Sequence, residues 1–243
     1  MDLTPLAVPS TLRRLTPLLP SPPASVLEVG CGRGALAAEL LRRGYDVTGV
    51  DPDPDAVRRA RMRGVTVIAT PLEEVDAGRY DVVLFTRSLH HVQDLDRTLD
   101  AAAARLEPGG TVVLEEFASE GVTSEAAAFV YDTLAVLAAA GVAETQGPDH
   151  GDPLQQWQHE RAHLHPRTAM LEALRRRTDV GEPVPTETLW RMAAARLTGP
   201  DPARATAIAR RLAEAEIRRI TAGELPALGF VVAGHTKSAA GHT

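Results

Sequence analysis

Along the first half of the chain, short apolar runs alternate with segments whose apolar residues recur at helical spacing. The runs at 25–29, 46–50, 66–69, 80–85 and 111–115 predict strands. Between them, 34–43 carries Leu36, Leu40 and Leu41 on one helical face, and Gly44 stands where a left-handed residue ends a helix. Asp53 can cap the next helix, Pro54 suits its first turn, and Gly64 follows its end at Arg63. The run 80–85 is continuous and rich in β-branched residues, as expected of a strand buried on both faces. Residues 95–106 predict a helix and Glu107-Pro108-Gly109-Gly110 a turn. Strand and helix in alternation with short links predict a parallel sheet with right-handed crossovers.

The alternation stops after Glu116. Helices are expected at 124–140, over much of 154–177, at 189–197 and at 204–220, with a polar, glycine-rich loop at 141–153. A strand at 180–186 is weakened by Pro183 and Pro185, and a last short strand is expected at 230–233. Before the first strand, Leu12, Leu15, Leu18 and Leu19 form an apolar stripe. The organisation expected is a single domain over 1–243. It comprises an N-terminal cap (1–23), a cofactor-binding half (24–117) and an acceptor-binding, lid-forming half (118–243).

Composition narrows the chemistry. The formal net charge of −6 argues against a nucleic-acid partner, because phosphate binding needs a local excess of Lys and Arg. Lys237 is the only lysine, and no GxxxxGK[ST] phosphate loop is present. Cys31 is the only cysteine, which excludes an internal disulfide and a cysteine-held iron–sulfur cluster. Residues 1–23 lack a charged leader followed by an apolar stretch, and no apolar run is long enough to span a bilayer. A cytoplasmic protein without membrane partners, monomeric or homodimeric, is expected.

The first strand runs straight into Glu28-Val29-Gly30-Cys31-Gly32-Arg33-Gly34, which opens a helix. Glycines there permit a tight turn and let backbone N–H groups approach a ligand. Asp51 ends the second strand about 20 residues on, where an acidic residue can accept from both ribose hydroxyls. With 80–85, Ser88-Leu89-His90-His91-Val92 and the segment 106–114 around Pro108-Gly109-Gly110, these motifs resemble the class I S-adenosylmethionine-dependent methyltransferases in their small-molecule branch. The resemblance covers roughly residues 26–117.

It implies a Rossmann-like, doubly wound α/β fold, with a seven-stranded sheet and one antiparallel strand. It also implies S-adenosyl-L-methionine as cofactor and S-adenosyl-L-homocysteine as product. Glu28, Gly30, Cys31, Gly32 and Gly34 would hold its methionine part, and Asp51 with Pro52 its ribose. Thr70, Pro71 and Leu72 would flank adenine, while Thr86, Arg87 and Ser88 line the reacting end. Thr70 stands where the family often has Asp, and Pro71 has no N–H.

Methyl transfer is a displacement with a neutral leaving group, so positioning and water exclusion dominate. A base is needed only where the acceptor carries a proton until it attacks. His90 is the first candidate, with His91 or Glu116 to orient it or bind the acceptor. Phe117, Tyr131, Trp157 and His163 are candidate acceptor contacts. The reading is transfer to an O or N atom of a small metabolite. One alternative keeps the cofactor for cyclisation, elimination or decarboxylation. Another follows from His159-Glu160-Arg161-Ala162-His163, which fits HExxH and would place His159 and His163 on one helical face as zinc ligands of a hydrolase. Its place in the lid and the lack of a third ligand at a recognised spacing favour no metal.

Overall fold

The computed structural model describes residues 4–76, 78–144, 151–199 and 201–237. In chain order the elements are α1 (Thr4–Leu15), β1 (Ser25–Val29), α2 (Ala35–Arg42), β2 (Asp46–Val50), α3 (Pro54–Met62), β3 (Thr66–Ile68), β4 (Tyr80–Thr86), α4 (Leu95–Ala104) and β5 (Leu106–Phe117). They continue with α5 (Ser124–Ala139), α6 (Pro153–Arg161), α7 (Arg167–Arg177), β6 (Thr178–Val180), β7 (Val184–Thr186), α8 (Leu189–Ala194), α9 (Pro202–Thr221) and β8 (Gly229–Thr236). The strands form one sheet in the order β3-β2-β1-β4-β5-β8-β6, with β7 also pairing with β8. The pairs from β3 through β5 are parallel and β6 runs antiparallel to β8. This is the Rossmann-like mixed sheet expected, widened by β7 to eight strands.

The front half forms for the reasons its sequence suggests. Val26, Leu27, Val82, Val83, Leu84 and Phe85 are fully buried, so the middles of β1 and β4 are apolar on both faces. Burying each such side chain contributes about 1.5–3 kcal/mol. The Asp53 side chain caps α3 by accepting the Asp55 N–H, and Asp94 caps α4 by accepting the Arg97 N–H.

Three expectations are modified. The Glu107–Gly110 turn becomes a bulge within β5: Tyr80 pairs with Leu106 but Val82 with Thr111, so four residues lie opposite Asp81 alone. The helical stretch 154–177 divides into α6 and α7, because Pro166 disfavours helical backbone at His165. The expected strand 180–186 becomes β6 and β7, parted at Gly181–Pro183.

The chain forms two compact units. The larger contains Thr11–Glu116, His165–Val184 and the described residues from Val231 on. The smaller contains the described residues through Ser10, Phe117–Leu164 and Pro185–Phe230. One core of the smaller unit gathers Trp157, Tyr131, Leu134 and Leu189, and a second gathers Trp190, Leu197 and Ala209. Glu216, on α9 and completely buried, starts α8. Its carboxylate accepts the N–H groups of Thr188 (2.8 Å), Leu189 (2.9 Å) and Trp190 (2.8 Å). Among the described residues no helix is long and apolar enough to cross a membrane.

Candidate active site

The carboxyl ends of β1, β2 and β4 carry most of the residues singled out in the sequence. After β1 the chain turns through Gly30 (φ +70°), Gly32 (φ +54°) and Gly34 (φ +69°), conformations that favour glycine. A Cβ on Gly30 would lie 2.5 Å from that of Ser88, so the turn and the segment after β4 approach as closely as glycine allows. Ser88 Oγ donates to the Val29 carbonyl at 2.7 Å and locks this approach. At Gly32 a Cβ would meet nothing within 4 Å, so the turn borders open space.

Asp51 fastens the turn to β2. Its Oδ2 accepts the Gly32 N–H at 2.8 Å and its Oδ1 the Asp53 N–H at 2.9 Å. Each oxygen retains a lone pair. Cys31 is buried beneath the turn, and burial first, then the charges of Glu28 and Asp51, push its thiol up to about 12. It is therefore a packed small residue rather than a nucleophile.

Glu28 is only 2 % exposed. Its Oε1 accepts the Thr86 hydroxyl at 3.3 Å, while its Oε2 is buried without a partner. Burial pushes the group from 4.5 up to about 8, against smaller downward pulls from the Thr86 bond, the Arg87 charge and the Ala37 N–H.

Glu116 and His90 form the second focus. Glu116 Oε1 accepts the N–H groups of Ser88 (2.8 Å) and Leu89 (2.7 Å), and its Oε2 lies 2.5 Å from His90 Nδ1. A carboxylate only accepts, so Nδ1 carries the proton and Nε2 is the ring nitrogen left with basic character. His165 steadies the same segment: its N–H donates to the His90 carbonyl at 3.0 Å, and its Nε2 to the Val92 carbonyl at 2.8 Å. The His91 ring lies 4.1 Å from that of His90.

A cleft of about 580 Å³ opens at these strand ends. Of the cofactor candidates, Gly30, Pro52, Thr70, Pro71, Leu72, Arg87 and Ser88 line it, joined by His91. Glu28, Cys31, Gly32, Gly34, Asp51 and Thr86 are not among its lining residues, and neither are His90 and Glu116. Glu73, Glu74, Gln93, Asp94, Arg97 and Thr98 also line the cleft, and sequence reasoning missed them. Asp94, three residues after His91, caps the helix that brings Arg97 and Thr98. Thr70 Oγ1 donates to Glu74 Oε2 at 2.7 Å, which leaves its oxygen able to accept.

The acceptor candidates Phe117, Tyr131, Trp157 and His163 belong to the smaller unit. Trp157 is 0 % exposed and its indole N–H donates to the Ser119 carbonyl at 2.9 Å, so it offers a ligand no surface. Tyr131 donates to Glu160 Oε2 at 2.9 Å, and burial pushes its phenol up to about 12. The HExxH pattern does not form on one helix: α6 ends at Arg161 and His163 lies beyond it. Burial would raise Glu160, but bonds from Gln156, Tyr131 and Arg161 outweigh it and hold the carboxyl below the usual range. Among the described residues no group of three or more His, Cys, Asp or Glu is arranged to hold a metal ion, and His150 lies outside them.

Comparison with known proteins is consistent across sequence and shape. The family described as "Methyltransferase domain" matches residues 6–216. The ubiquinone biosynthesis O-methyltransferase of Bordetella avium is 40 % identical over 96 residues, which span 36 % of this chain and 40 % of that protein. A possible histamine N-methyltransferase of Thermotoga maritima shares the fold with a TM-score of 0.59 and 16 % identity, covering 97 % of this chain and 91 % of that one. The geranyl diphosphate C-methyltransferase of Streptomyces coelicolor, solved with S-adenosyl-L-homocysteine, has a TM-score of 0.59 and 15 % identity over 95 % of this chain and 75 % of its own.

Proposed function

The chain belongs to the methyltransferase-domain family, and on that premise we propose that it methylates an oxygen or nitrogen atom of a small molecule at the expense of S-adenosylmethionine. The observation that carries this reading is the partnerless Glu28 Oε2, buried beside a glycine turn at the carboxyl ends of parallel strands. A buried acceptor without a donor costs about 1–3 kcal/mol, and a cationic ligand removes that cost. The other groups present fit the same cofactor. The turn at Gly32 borders open space, Asp51 retains lone pairs suited to ribose hydroxyls, and Thr70 can accept from an adenine amino group. The cleft is large enough for such a molecule.

When bound, the cofactor supplies an electrophilic methyl group on a positively charged sulfur. The protein's own tasks are then orientation, exclusion of water and, for a protonated acceptor, removal of one proton. His90 Nε2 receives that proton, while Glu116 fixes the ring by accepting from Nδ1 and stabilises the imidazolium that forms. Pro52, Leu72 and Ser88 close the cleft around the cofactor.

Calorimetry with S-adenosylhomocysteine tests the cofactor assignment. Asp51→Ala is expected to weaken binding at least tenfold, and unchanged affinity would remove the ribose assignment. His90→Ala should keep cofactor binding and lose turnover of a hydroxyl acceptor; full turnover would remove His90 as the base. Product formation without release of S-adenosylhomocysteine would point to cyclisation or elimination instead.

A further inference from the structure

Among the described residues Arg87 is the only non-glycine with positive φ, at +55°. It directly follows β4, at the reacting end of the cleft rather than the end near Thr70. Its N–H donates to the Glu115 carbonyl at 2.7 Å and its Nη1 to Glu115 Oε2 at 3.1 Å. That carboxylate is already engaged by the Thr11 hydroxyl (2.8 Å) and by Arg14 Nη1 (2.7 Å), so Arg87 is only partly neutralised. Its Nε and Nη2 have no protein partner among the described residues. The side chain is 37 % exposed and lines the cleft with Ser88 and His91. In a chain of net charge −6, a backbone conformation that suits glycine is thus held by an arginine whose guanidinium retains unused donors.

We propose that Arg87 recognises a carboxylate on the methyl acceptor. A guanidinium presents two parallel donors that match a carboxylate, with Glu115 fixing its plane from behind. The proposal rests on the methyltransferase reading and narrows its substrate class to acids, with the carboxylate anchored beside the atom to be methylated.

The test uses the full chain saturated with S-adenosylhomocysteine and titrated calorimetrically with benzoate and with its neutral isostere benzamide. Wild type should bind benzoate at least tenfold more tightly than benzamide. Arg87→Gly, which accepts the positive φ without strain, should lose that preference. Its melt should stay cooperative, and its S-adenosylhomocysteine affinity decides whether the guanidinium serves the acceptor or the cofactor. Arg87→Lys keeps the charge but not the fork and should recover part of the preference. Equal binding of the two probes by wild type, or undiminished benzoate binding by Arg87→Gly, overturns the proposal. So does a loss of more than tenfold in S-adenosylhomocysteine affinity in Arg87→Gly, which would assign the guanidinium to the cofactor's own carboxylate. Failure of wild type to bind S-adenosylhomocysteine would instead remove the methyltransferase reading on which the proposal stands.

Discussion

Glu216 in the smaller unit and Glu28 in the larger are both buried, and burial pushes both upward. They differ in what surrounds them. Glu216 takes three backbone N–H groups at the start of α8 and uses both oxygens. Glu28 has one long bond, from Thr86, the pull of the Ala37 N–H, and an oxygen that meets no hydrogen-bond partner. Burial alone therefore does not mark a functional carboxylate. An acid whose oxygens are all answered from within is architecture, whereas Glu28 keeps one oxygen unanswered. Glu116 stands between these cases, holding the backbone with one oxygen and a histidine ring with the other.

The sharpest test of this contrast is Glu216→Ala. It would strand three buried donors, and unfolding in urea should report a loss of about 3 kcal/mol or more. A loss below about 1 kcal/mol would erase the distinction from Glu28. Glu116→Gln comes next. The amide oxygen can keep the Ser88 and Leu89 bonds, but its NH2 would face Nδ1 and favour the tautomer protonated at Nε2. Turnover of a hydroxyl acceptor should fall about a hundredfold with little change in melting temperature. Glu28→Gln should weaken S-adenosylhomocysteine binding about tenfold, by replacing a charge-assisted contact with a neutral one.

The smallest effects concern pH. Glu28 is raised from 4.5 to about 8 in the folded chain, so between those values the folded state binds more protons than the unfolded one. Its contribution to stability is fully present below 4.5 and is lost as pH rises through about 8. The cofactor-free wild type should therefore lose stability relative to Glu28→Gln as pH goes from 5 to 8, a difference that parallel melts would show. A cationic ligand favours the ionised form, so binding at pH 7 should release a fraction of a proton. Calorimetry in buffers of different ionisation enthalpy measures that release, and zero release would separate Glu28 from the ligand.

The front half was legible because its elements announce themselves locally. β1 and β2 occupy the expected residues, since each is a short apolar run bounded by turn chemistry. The glycine turn and Asp51 were legible for the same reason. Pairings between distant segments were not. Nothing local in Glu116 says that it reaches back 26 positions to His90, the first candidate for the base. Glu216 sits on a helix whose charges alternate along the sequence, yet it is fully buried; its neighbour Glu214 pairs with Arg211. Trp157 resembled a pocket aromatic because its flanking residues are polar. It is core because α5 and α8 cover it, which helical periodicity over nine residues does not reveal.

His165 carries a lesson for protein engineering. Two carbonyls of the segment bearing His90 hang from one imidazole-bearing residue encoded over seventy positions downstream. The stretch that looks like a self-sufficient cassette is therefore not portable. A chimera that joins this front portion to a foreign tail must bring its own donor to that spot, or the segment bearing His90 loses its mooring while the sheet beneath it stays intact.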